Sequence, residues 1–131
     1  MAAVSTTLKP LRRQGFWLGL WCAAVLTVIV VCLIPPPELN LPQNSDKVEH
    51  LLAYFVLSAS AVQLFGSRRA LCWVAAGLVA MGVGIEWAQG ALTATRMADP
   101  MDALANASGV LIGMLTVLTP LRDVLLRLQG R

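Results

Sequence analysis

The side chains able to do chemistry fall in three short blocks: Asp46, Lys47, His50 and Tyr54; Glu86 and Gln89; and Arg96, Asp99, Asp102 and Asn106. Helical spacing puts His50 and Tyr54 on one face, Asp102 and Asn106 on another, and Glu86 and Gln89 on a third. Tyr54 and Asn106 then lie roughly 6 Å further along their helices than His50 and Asp102. Glu49, next to His50, points about 100° away from it. An imidazole among carboxylates suits general acid–base catalysis, or, through the carboxylate oxygens, a divalent cation. Arg96 suits a bidentate clamp on phosphate or carboxylate, and equally a structural ion pair with Asp99 or Asp102. No serine or cysteine nucleophile stands out, which disfavours acyl transfer.

The elements that must position these groups are apolar. The chain has 131 residues, enough for one domain, with 57% hydrophobic and 13% charged residues and a mean hydropathy of +0.71. A soluble domain of this size cannot bury so much apolar surface, so lipid is the solvent that fits. The net charge of +3 comes from short basic clusters between apolar runs. That distribution signals topology rather than a nucleic-acid footprint. Cys22, Cys32 and Cys72 all sit in apolar runs without metal-ligand or disulfide spacing and are expected to be small packing residues. No nucleotide-binding loop or redox motif is visible, so no cofactor and no metal is expected from motifs.

Four spans are predicted, giving an all-α four-helix transmembrane bundle. Residues 1–14 form a basic amino terminus, 15–119 the single four-span domain, and 120–131 a basic tail. The first span, Gly15 to Ile34, exceeds the apolar core of a signal peptide and ends in Pro35-Pro36-Pro37, without a small-residue cleavage site. The second runs from about Lys47 to Phe65, the third from Ala70 to about Gln89 and the fourth from Met101 to Thr119, closed by Pro120. Lys9, Arg12, Arg13, Arg68, Arg69, Arg122, Arg127 and Arg131 then share one side, leaving Lys47 and Arg96 on the other. The positive-inside rule predicts both termini in the cytoplasm. Glu38, Asp46, Glu49, Glu86, Asp99 and Asp102 gather at the outer end, and only Asp123 lies inside. A polar cluster at the outer face follows.

Polar residues near helix ends also suit the headgroup zone, which is an adequate account of Asp46 and Glu49. It fits Glu86 and Asn106 less well, because their neighbours are apolar and a charge well inside the bilayer costs about 2.5–3.5 kcal/mol. Arg96 or protonated His50 is the natural partner for Glu86. Asn106 also fits a helix–helix bridge worth about 0.6 kcal/mol. Asp46-x-x-Glu49 and Asp99-x-x-Asp102 each open a helix, an echo of a duplicated hairpin that capping chemistry explains more simply. Ala105, Gly109 and Gly113 make a small-residue stripe for close helix packing, within the chain or in a homo-oligomer. Gly77, Gly82 and Gly84 are expected to serve the third span in the same way, and Trp17, Trp21, Trp73 and Trp87 to anchor span ends at the interface.

The three blocks together resemble the VanZ-like family. Asp46-Lys47-Val48-Glu49-His50-Leu51-Leu52-Ala53-Tyr54 is similar to that family's D-K-x-x-H-x-x-x-Y opening, and Glu86-Trp87-Ala88-Gln89 to its E-x-x-Q. Arg96 to Gly109 resembles R-x-x-D-x-x-D-x-x-x-N-x-x-G. The resemblance spans about half the chain, Asp46 to Gly113. It implies a multi-pass protein of the bacterial cytoplasmic membrane, in a family named for a member linked to teicoplanin resistance. Family membership does not fix function.

Three functions compete. The first is an outward polar pocket that binds a membrane lipid headgroup, a lipid-linked cell-wall precursor or a lipophilic glycopeptide, in resistance or envelope maintenance. The second is an enzyme hydrolysing or modifying a lipid-linked substrate at the outer leaflet, with His50 as base and Glu86, Asp99 or Asp102 as acid or cation ligands. The third is a structural scaffold or assembly factor.

Overall fold

The computed structural model describes residues 7–34, 40–92 and 98–129. Pro35, Pro36, Pro37, Glu38, Arg96 and Arg131 lie outside the described residues. Four long helices are present: α1 (Gln14–Leu33), α2 (Ser45–Leu64), α3 (Arg68–Leu92) and α4 (Pro100–Leu115). Two short 3-10 turns, Thr116–Leu118 and Pro120–Asp123, lead into α5 (Val124–Gln129). The described residues hold no strand, only an isolated bridge between Leu8 and Phe65. Three segments are long and apolar enough to cross a membrane: α1, α3 and Pro100–Leu118. In α2, by contrast, Asp46, Lys47, Glu49 and His50 occupy the opening turns.

Local chemistry sets the helix ends. Ile34, before the proline run, is extended at φ −80° and ψ 140°, as a residue preceding proline must be. Asp99 caps α4 by accepting from the Met101 N–H at 2.9 Å, with Pro100 in the first turn. The equivalent role fails in α2: Asp46 lies inside the helix, and the cap is Asn44, in the left-handed region at φ 67° with no side-chain cap bond. The shared capping expected for the two acidic pairs therefore holds for α4 alone. Pro120 does more than close the predicted fourth span. Thr119 accepts from the Leu121 N–H at 3.2 Å and starts a new turn, so the expected basic tail is partly helical.

The core lies between α2 and α4. Tyr54, Leu57, Leu78 and Val110 form its buried centre. A β-carbon on Gly109 would collide with the Leu51 carbonyl oxygen and lie 3.0 Å from the Phe55 nitrogen. One on Gly113 would lie 2.6 Å from Ser58 Cβ and 2.8 Å from the Phe55 oxygen. Ser58 Oγ donates to the Val110 carbonyl at 2.7 Å across the same contact. Backbones this close require glycine, and Ala105 continues the stripe half-buried. Gly82 packs against Asn106, but a β-carbon on Gly77 or Gly84 would meet nothing within 4 Å. The expectation of a packing role for those two is corrected accordingly, because they face outward.

Helix α1 buries no residue and sits at the edge. It is held by Trp21 Nε1, which donates to the Leu57 carbonyl at 2.9 Å, and by an edge-to-face contact of Trp21 with Phe65. Trp21 thus joins helices rather than anchoring an interface, whereas Trp73 and Trp87 are about 70% and 69% exposed. The exposed thiols of Cys22 and Cys72 likewise correct the expected packing role, since both face away from the core. The first and last described segments meet at one end of the helices. Lys9 and Gly66 make backbone bonds to Leu64 and Thr7, and Lys9 Nζ pairs with Asp123 at 2.8 Å. Gln63 donates to the Leu121 carbonyl and accepts from the Leu125 N–H.

Gly109→Val is expected to destabilise by about 1–3 kcal/mol or more through overpacking, while Gly77→Ala leaves stability unchanged or slightly raised. Thermal unfolding in detergent compares the two. The Lys9 ammonium, followed by Arg122, holds the Asp123 carboxyl below its usual range. Its stabilisation is therefore present above the ordinary carboxylate pKa and lost as pH falls through the depressed value. Asp123→Asn should flatten that acid limb of a stability-against-pH curve.

Candidate functional site

The starts of α2 and α4 and the end of α3 lie together, and their polar residues converge there. Lys47 sits in the first turn of α2, where its ammonium can reach across to α4. Its Nζ is 3.0 Å from Asp99 Oδ2, 3.4 Å from Asp102 Oδ1 and 3.7 Å from Asp46 Oδ2. About one turn deeper, His50 Nδ1 lies 3.0 Å from Asn106 Oδ1. An amide oxygen only accepts, so Nδ1 carries the proton in this contact, and Nε2 is the ring nitrogen left facing Asp102. That Nε2 stands 4.0 Å from Asp102 Oδ2, too far for a hydrogen bond.

Glu86 enters from α3, only 5% exposed. Its Oε2 accepts from the Asp99 backbone N–H at 3.0 Å. This is a partner that side-chain reasoning did not supply, since Arg96 or His50 was expected. Gln89, a turn later on the same face, donates to the Cys32 carbonyl at 2.6 Å and ties α3 to the end of α1. That bond braces the site from the side of α1. Tyr54 is fully buried below His50, and Asn106 is 1% exposed. Gly82 leaves the room Asn106 needs, since a β-carbon there would stand 3.1 Å from Nδ2.

The expected residues thus divide by geometry. Lys47, His50, Glu86, Asp99, Asp102 and Asn106 form one connected cluster. Asp46 reaches only its rim and is exposed, Glu49 is exposed, and Arg96 lies outside the described residues. The Met101 N–H, then the Lys47 ammonium, holds the Asp99 carboxyl below its ordinary range. Asp46, Glu86, Asp99 and Asp102 all gather around Lys47 and His50, so acid exceeds base among the described residues. The positive ends of α2 and α4 offset part of that surplus.

Three atoms in and beneath this cluster are buried without a hydrogen-bond partner: Glu86 Oε1, Asn106 Nδ2 and Tyr54 Oη. Asp102 Oδ1 lacks a hydrogen bond of good geometry as well, although the Lys47 ammonium faces it. Each such group costs about 1–3 kcal/mol, more when charged. His50, Glu86 and Asp102 also each place a donor atom within 4.8 Å of the other two. Spacing along the chain does not reveal that grouping, because each residue comes from a different helix. An apolar recess of about 630 Å³ lies elsewhere, between Trp17, Trp21, Phe55, Leu121, Leu125 and Leu128, and none of the cluster lines it.

Comparison with family models, curated proteins and solved structures finds no match for this chain.

Glu86→Gln keeps an oxygen for the Asp99 N–H while removing the buried ionisable group. It should unfold in detergent at the same temperature as the parent or higher. Glu86→Ala loses the Asp99 contact and is expected to cost about 1–3 kcal/mol.

Proposed function

We propose that this chain is a VanZ-like protein of a bacterial cytoplasmic membrane that recognises a hydroxyl-rich, lipid-linked headgroup at its outer face. In this reading α1 to α4 form a four-span bundle with both termini in the cytoplasm. Helix α2 spans despite its charged opening turns because Lys47 and His50 are paired with Asp99 and Asn106, and the exposed Asp46 and Glu49 lie in the headgroup zone. The meeting of the amino-terminal segment with α5 at one end of the molecule supports an even number of spans.

One observation carries the reading: the buried atoms Glu86 Oε1, Asn106 Nδ2 and Tyr54 Oη have no hydrogen-bond partner. One acceptor and one donor at the polar cluster, with the Tyr54 hydroxyl deeper in the core, match sugar hydroxyls, which both donate and accept. Membrane glycolipids, lipid-linked cell-wall precursors and lipoglycopeptides share that chemistry. The surplus of carboxylates disfavours an unaccompanied phosphate. The His50 orientation supports a second reading, in which Nε2 takes a proton from a water that hydrolyses the bound lipid.

Native mass spectrometry of the protein extracted from membranes is expected to retain a saccharide-bearing lipid. Glu86→Gln and Tyr54→Phe should lose it at least tenfold with normal protein abundance. Equal retention by all three would sink the recognition reading. Teicoplanin tolerance unaltered by expression of the chain would remove the resistance role alone, and an unmodified lipid pool would remove the enzymatic one. Topology is tested separately: alkaline phosphatase fused after residue 131 should be inactive, and inserted within residues 93–97 it should be active.

A further inference from the structure

We infer that His50, Glu86 and Asp102 form a binding site for a first-row divalent cation, held by His50 Nε2 and one oxygen of each carboxylate. The inference rests on reading the polar cluster as a ligand site, and names the ion that occupies it.

The three residues come from α2, α3 and α4, and their donor atoms lie within 4.8 Å of one another. Metal–ligand bonds of about 2.0–2.2 Å draw such atoms to roughly 3–3.5 Å apart, so closure takes about an ångström of side-chain rotation. The outer contacts a metal site needs are already made. A ligating histidine normally donates its other N–H to a fixed acceptor, and His50 Nδ1 meets Asn106 Oδ1 at 3.0 Å. A ligating carboxylate is normally held through its second oxygen, and Glu86 Oε2 accepts from the Asp99 N–H.

Independently of the clustering, Glu86 Oε1 is buried and unpartnered on a side chain 95% shielded from solvent (5% exposed). Lys47 pairs with Asp99 and Asp102, and no ion pair reaches Glu86 among the described residues. A dication answers both the orphaned oxygen and the repulsion between Glu86 and Asp102. One imidazole with two carboxylates favours manganese, iron or zinc over calcium and magnesium, which prefer oxygen alone. Three protein ligands also leave coordination positions open. An oxygen of the headgroup would fill one, so with the ion in place the headgroup meets the metal instead of Glu86 Oε1, and Asn106 Nδ2 and Tyr54 Oη keep their roles as donors.

Manganese is the probe of choice, because the exposed thiols of Cys22 and Cys72 bind it poorly. The untagged full-length protein, stripped with chelator and dialysed against Mn²⁺ in detergent, is expected to retain about one ion. Pulsed electron paramagnetic resonance should then detect coupling to an imidazole nitrogen, and the chain has a single histidine, so that signal reports His50. Glu86→Gln and Asp102→Asn should each weaken Mn²⁺ binding at least tenfold at unchanged helix content. Retention below a tenth of an ion, or bound Mn²⁺ without nitrogen coupling, overturns the inference whatever the variants do. Lipid retention measured with and without chelator separates the two readings. Lipid bound without metal refutes the cation alone, and metal bound without lipid refutes the headgroup alone.

Discussion

The backbone contact between α2 and α4 sets everything else. In lipid no hydrophobic force drives helices together, so association depends on close packing and on hydrogen bonds between helices. Gly109 and Gly113 supply the first by having no β-carbon against Leu51, Phe55 and Ser58. Ser58 supplies the second through the Val110 carbonyl. Residue numbers rise together along both helices at this contact, so the two run in the same direction. Their starts, which carry the polar residues, are therefore side by side.

Register follows from that contact. With Gly109 seated against Leu51, the residue three positions earlier, Asn106, meets His50, and Asp102 comes within reach of Lys47. A shift of one residue on either helix would rotate these partners by about 100° and separate them. The third wall comes from α3, whose Gly82 makes room for Asn106 and whose Glu86 holds the backbone of Asp99. The cap of α4 is thus shared: Asp99 accepts from its own helix, pairs with Lys47 and donates its N–H to Glu86.

The cluster combines groups that are satisfied with groups that are not. Ion pairs and the helix starts compensate Asp99 and much of Asp102. The deeper atoms of Tyr54, Glu86 and Asn106 remain without partners at a cost that packing alone does not require. An apolar core in their place would cost nothing of the kind. These unpaired buried polar atoms are the feature on which the proposed recognition site rests.

Much of this was legible in the residues. Long apolar runs, the proline stretch and the basic clusters foretold the four long helices. Spacing of three and four placed His50 with Tyr54, Glu86 with Gln89 and Asp102 with Asn106 on shared faces, and each pair is buried or half-buried as that predicts. The small-residue stripe of α4 marked the closest contact. These are consequences of helix period and solvent preference, both local properties of a chain. Tertiary structure decided what those faces meet. The Asn106 contact with His50, the Glu86 bond to a backbone N–H, the exposure of Asp46 and Glu49, and the work of Trp21 between helices depend on register between distant segments. Neither period nor composition encodes that register; it is set where two backbones touch, at glycines whose partners lie more than fifty residues away.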